Sequence, residues 1–190
     1  METRIPTREE ALGILKEYND NPALVNHALA VEAVMRYIAR KRGHEAEEET
    51  WGIVGLVHDL DYERFAEQHC KMTGVILREK GWPEVIVRAA ESHGWGLCSE
   101  VEPLTDMEKT LYAIDELSGL VGACALVRPS RSVMDMEVRS VKKKWKEKSF
   151  AAGANREVIL KGVDMLGIPL DELIEDVIMG MRTVASEIGL

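Results

Sequence analysis

The chain has 190 residues, 46% of them hydrophobic and 30% charged, a balance that excludes disordered, collagenous and fibrous classes and supports a sizeable core without disulfides or a structural metal. Aromatics make up only 5%, while Leu, Val, Ile, Ala and Met carry the apolar content, so the expected fold is all-α, a single-domain helical bundle. Lys and Arg total 24 against 33 Asp and Glu, a formal net charge of -9, which speaks against coating of duplex nucleic acid through its phosphates.

Thr7 reads as the N-cap of a first helix that runs to Tyr18 with acidic residues in its first turn. Asn19-Asp20-Asn21 breaks it, and Pro22 opens a second helix whose apolar residues Leu24, Ala28, Val31, Val34, Met35 and Ile38 recur at spacings of three and four. A third, from about Glu45, starts acidic and turns apolar before His58-Asp59-Leu60-Asp61. Residues 63–80 read as a helix carrying His69, and 83–92 as one that leads into His93-Gly94. Thr105 and Glu108 form a capping-box signature for a helix that continues to Val127 with Asp115 in its middle. A basic amphipathic stretch spans 133–148, a small-residue loop surrounds 150–154, and 155–166 and 170–188 are further helices, about eight in all. Met and Leu residues of the last helices either complete the core or form a subunit interface.

Cys70, Cys98 and Cys124 lie far apart with no CxxC pair and are expected as free thiols of a reducing compartment. The polar start, Met1 to Pro6, contains neither a secretory apolar run nor a spanning segment, so the expected location is cytoplasmic, with no membrane partner.

Of five histidines, His27, His58, His69 and His93 fall in predicted helical segments beside small or apolar neighbours, on faces that should point inward. His44 follows a helix end and calls for no special role. Asp115 is flanked one turn away by Leu111, Tyr112, Ser118 and Gly119. A carboxylate there must meet a cation, meet donors or take up a proton. Asp59 sits at the negative end of an apolar helix, a poor place for a carboxylate without a positive partner. Gly119 and Gly122 leave room beside Asp115 for close helix approach or a bound group. Taken together, four inward imidazoles and two carboxylates, without matching inward Lys or Arg, point to a divalent transition metal, one or two ions. Mixed nitrogen and oxygen donors suit Fe, Mn, Co, Ni or Zn better than Mg.

His27, then His58-Asp59, His69, His93 and Asp115 resemble the ligand pattern of the HD-domain superfamily of metal-dependent phosphohydrolases. The resemblance covers roughly positions 27–127 and implies an all-helical domain over 1–190, with a metal-site core at about 22–127 and the helices of 133–190 packed on it. It also implies that His27, His58, Asp59 and Asp115 bind one metal, and that Asp59 bridges to a second held by His69 and His93. The chain departs from the two-metal signalling phosphodiesterases of that superfamily, which follow the pair with Ile-Gly-Lys and carry adjoining histidines. Here Leu60-Asp61-Tyr62 follows, and Gly94 adjoins His93, so cleavage of a cyclic dinucleotide is not supported.

The activity so implied is hydrolysis of a small phosphate ester, a phosphorylated metabolite or nucleotide, by metal-activated hydroxide with Asp59 and His58 at its centre. Asp61 is the candidate proton donor to the leaving group, with Glu63 beside it. Arg128, Arg131 and Lys144 are candidate phosphate contacts in the one basic stretch of an acidic chain. The lysines there also read as the solvated face of a helix that buries Val138, Val141 and Trp145. Two rival readings keep the same bundle: an HD-type di-iron oxygenase, whose ligand types are the same, and a non-catalytic ligand-binding protein.

Overall fold

The computed structural model describes residues 4–190. Ten α-helices make up the described fold, and its only β pairing is an isolated bridge between Trp95 and Ser99. In chain order they are α1 (Arg8–Tyr18), α2 (Pro22–Lys41), α3 (Glu48–Val57), α4 (Lys71–Glu79), α5 (Glu84–Ser92), α6 (Asp106–Leu126), α7 (Val138–Trp145), α8 (Arg156–Leu166), α9 (Leu170–Arg182) and α10 (Ala185–Ile188). Among the described residues no helix is long and apolar enough to cross a membrane.

Side-chain capping sets four of the helix starts. Thr7 and Thr105 each accept from the backbone N–H three residues on, and Glu10 and Glu108 reach back to the cap, so both are full capping boxes. Asn21 caps α2 ahead of Pro22, and Asn155 caps α8 by accepting from Glu157 and Val158.

The fold is built around α2, which packs on α3, α6 and α9, while α8 lies along α6. Val31, Val34, Met35 and Ile38 of α2 meet Ile53, Val54 and Val57 of α3, Leu111, Ile114 and Leu117 of α6, and Leu173 and Val177 of α9 in one continuous core. Two glycines set how closely the helices approach. A Cβ on Gly180 of α9 would stand 2.6 Å from the Cα of Val34, and one on Gly162 of α8 would stand 2.5 Å from the Cβ of Ala113. Glycine inside a helix costs about 0.5–1 kcal/mol relative to alanine, but overpacking a rigid contact costs more. Gly180→Ala is therefore expected to lower the unfolding free energy by about 1–3 kcal/mol, read as a lower urea midpoint at unchanged slope. A midpoint equal to that of the parent chain would contradict the close α2–α9 contact.

Several elements differ from the sequence reading. The predicted 170–188 helix divides at Thr183 and Val184, and the basic stretch is helical only over Val138–Trp145. The helix expected over 63–80 begins at Lys71, because Cys70 takes a positive φ of 69° that a right-handed helix cannot continue through. His69 consequently sits outside α4, while His58 and His93 are the C-caps of α3 and α5 rather than residues within helices. The cysteine expectation is corrected as well. Cys70 and Cys98 form a disulfide, and only Cys124 is free, buried beside the core.

Candidate metal centre

Five chain segments converge on one point. α2 brings His27 on its second turn, α6 brings Asp115 at mid-length, and α3 delivers His58-Asp59 just past its apolar C-terminus. His93 follows α5, and His69 follows a 3-10 turn over Ala66–Gln68. All six side chains named as metal ligands from the sequence are thus brought together.

Their hydrogen bonds fix which atoms face inward. The Nδ1 of His58 donates to the carbonyl of Gly55 at 2.8 Å, and that of His93 to the carbonyl of Ala90 at 2.5 Å. The Nδ1 of His69 donates to Oδ1 of Asp61 at 2.8 Å. Carbonyl and carboxylate oxygens can only accept, so each of these rings holds a proton on Nδ1 and turns its Nε2 inward, the atom left to bind an ion once the ring is neutral. Those Nε2 atoms turn toward Asp59, whose two oxygens divide them. Oδ2 stands 3.5 Å from His58 and 3.9 Å from His27, while Oδ1 stands 3.2 Å from His93 and 3.6 Å from His69. Asp115 Oδ1 lies 2.9 Å from His27 Nε2 and 3.3 Å from His58 Nε2.

Two donor groups result, His27–His58–Asp59–Asp115 and Asp59–His69–His93, each with its atoms within 4.8 Å of one another. Metal bonds of about 2.0–2.2 Å place neighbouring donors roughly 3 Å apart, the spacing seen here. His58 Nε2 and Asp59 Oδ1 are buried with no hydrogen-bond partner. Buried polar atoms left unpaired are costly, and an ion would satisfy both. The residues present therefore fit one or two divalent cations.

The electrostatics are mutual. Burial pushes the His58 proton off, but the carboxylates of Asp59 and Asp115 outweigh it and hold that imidazole well above 6.5. Burial likewise opposes charge on His93, and Asp59 raises it in turn. Burial pushes Asp59 up, yet His58 and His93 hold it well below the carboxylate range, and His58 and His27 do the same for Asp115. Without an ion, the stability from these pairs is lost at both ends of the pH scale. It goes as pH falls through the lowered carboxyl values and as pH rises through the raised imidazole values. An ion needs the imidazoles neutral, so its binding displaces their protons. Metal uptake is expected to release protons and to tighten from about pH 6 to 8, read by calorimetry in two buffers of different ionisation heat. Zero proton release would contradict this charge assignment.

A cavity of about 570 Å³ opens onto the ligands. His27, Asp59, His69, His93 and Asp115 line it together with Tyr62 and Glu116, and Leu24, Leu97, Ala151, Ala154 and Val158 supply apolar walls. Glu116 was not legible as a site residue; its only signal in the sequence is adjacency to Asp115. Burial and the charge of Asp115 raise its carboxyl, and Oε2 accepts the N–H of Asn155 at 3.0 Å. That bond ties the 150–154 loop to α6, and the loop does line the cavity. Arg156 holds the same loop by donating to the carbonyls of Phe150 at 2.7 Å and Ala154 at 3.1 Å.

The other predicted site residues lie elsewhere. Asp61 is fully buried, and both of its oxygens are taken, Oδ1 by His69 and Oδ2 by the N–H of Thr73 at 2.8 Å. It cannot reach a leaving group and acts instead as a positioning residue for His69. Glu63 accepts from the N–H groups of Asp20 and Asn21 at the start of α2. Arg128 is bound to Asp135 at 2.9 Å and to Ser140 at 3.2 Å, and Lys144 to Glu147 at 2.8 Å. Arg131 is an exposed loop residue with a φ of 51°. Among the described residues, no Lys or Arg lines the cavity. His44, set aside in the sequence, pairs with Glu47 and Asp106 at the surface.

No family model, curated protein or solved structure matches this chain.

Proposed function

We propose that the chain is a metal-dependent phosphohydrolase of HD type that cleaves a small phosphate ester, a nucleotide or phosphorylated metabolite. The division of Asp59 between two donor groups at the floor of an open cavity carries this reading. Divalent ions held there would polarise a phosphoryl oxygen and bring the pKa of a bound water near neutrality. The chain's own contribution is positional. Carbonyls behind His58 and His93, and Asp61 behind His69, fix three rings before any substrate arrives. The apolar walls of the cavity would lower the dielectric around a bound ester, which strengthens the charge interactions at its floor.

The test is elemental analysis of freshly purified protein, followed by turnover of p-nitrophenyl phosphate and nucleoside monophosphates with Mn, Co, Ni, Fe, Zn and Mg. Hydrolysis supported by a transition metal is expected; absence of phosphoester cleavage with every metal would sink the proposal. One observation favours a second reading. With no cation lining the cavity, a phosphate would find positive charge only at the metals, so a di-iron oxygenase is the rival, marked by iron content and oxygen consumption.

A further inference from the structure

The metal cavity adjoins a second chamber of about 490 Å³, and His27 and Gly119 line both. Its walls come from α2, α6 and the end of the chain, including Ala30, Gly122, Leu126, Met181 and Ile188. No Asp, Glu, Lys or Arg side chain is among its lining residues. Two observations indicate that the space is for a ligand rather than a packing fault.

The first is the pair of glycines on α6. A Cβ at Gly119 would meet nothing within 4 Å, and one at Gly122 would make only ordinary contacts, at 3.9 Å, with Leu190 and Met181. Unlike Gly162 and Gly180, neither is required by a neighbouring helix, yet both carry the helix cost of glycine. Any larger side chain at either position would project into the chamber or its junction with the metal cavity. The second is Ser118. It lines the chamber, is 2% exposed, and its hydroxyl has no hydrogen-bond partner. A buried unpaired hydroxyl is destabilising until something bonds to it.

We propose that this chamber is the leaving-group subsite of the metal centre, taking an uncharged and largely apolar ring that bears a hydrogen-bonding atom for Ser118. The assignment rests on the hydrolase reading for its link to chemistry. An aryl or nucleobase-like group fits these walls, whereas a second phosphate would leave its charge without a cation against them.

Isothermal titration with 1-naphthol as a neutral probe reads the chamber without turnover. Saturable binding is expected in the parent protein and about tenfold weaker in Gly122→Leu, whose side chain occupies the space. Ser118→Ala is expected to weaken binding by about threefold to tenfold while melting no lower than the parent, because it removes an unpaired buried hydroxyl. Residues of purely structural value would not separate binding from melting in this way. In turnover, the kcat/KM advantage of 1-naphthyl phosphate over glycerol phosphate should fall about tenfold in Gly122→Leu. Absence of 1-naphthol binding to the parent, or equal binding to parent and both variants, overturns the subsite. If neither ester is hydrolysed while 1-naphthol still binds and responds to Gly122→Leu, the hydrolase reading fails and the chamber stands as a binding site.

Discussion

Under the proposed phosphohydrolase reading, Asp59→Ala is expected to abolish metal binding at both donor groups and to lower phosphoester hydrolysis by roughly a thousandfold or more, since several kcal/mol of transition-state stabilisation would depend on the metals. Asp59 is the only side chain shared by the two donor groups. Replacing any other ligand leaves one group intact, whereas removing Asp59 takes an oxygen from each. Asp59→Asn tests charge against shape, because it keeps the volume but removes the negative charge that faces four imidazoles. Metal analysis after dialysis gives the answer directly. Two ions per chain in Asp59→Ala would show that the carboxylate bridges nothing.

Asp61→Ala should be the most damaging change outside the ligand set. The carboxylate is fully buried and serves the Thr73 N–H and the His69 Nδ1–H. Its loss leaves two donors without partners in the interior, at about 1–3 kcal/mol each. His69 then loses the contact that aims its Nε2 at Asp59, and outer contacts of this kind are worth about 10–100-fold in metal affinity. Asp61→Asn keeps one acceptor oxygen and should recover most of the stability while still weakening the His69 side of the centre. Chemical denaturation and metal titration together separate the two effects. A variant that melts normally and binds metal normally would remove Asp61 from any supporting role.

The ligand residues could be read from the sequence because each breaks a local rule. Imidazoles and carboxylates on apolar helical faces are costly, so His27, His58-Asp59 and Asp115 stand out against the alternation of core positions around them. Capping chemistry was equally visible at Thr7 and Thr105, where the partners lie three residues apart. What stayed hidden depends on meetings between distant segments. Asp61 reads in the sequence as a candidate proton donor because nothing local announces that Thr73 will turn back to it. Cys70 and Cys98 are 28 residues apart and meet only after α4 and α5 fold against each other. A glycine enables that meeting, since a Cβ at Gly94 would collide with both sulfur atoms. The basic run over 128–148 stands out by charge alone, yet Arg128, Lys142 and Lys144 are engaged by Asp135, Asp171 and Glu147 at the surface, away from the cavity.

The split of Asp59 between two sets of imidazoles also bears on the order of loading. A cation bound through Oδ2 draws on the same single negative charge that Oδ1 offers to a second one, and two dications placed that close repel each other. Two ions held there would therefore bind anticooperatively, and saturation would proceed in steps. The group that includes Asp115 carries an extra carboxylate, so it would fill first and the His69–His93 side last. Under metal limitation a centre of this kind would hold a single cation, and the supply of the second would set how much of the proposed two-metal form is present.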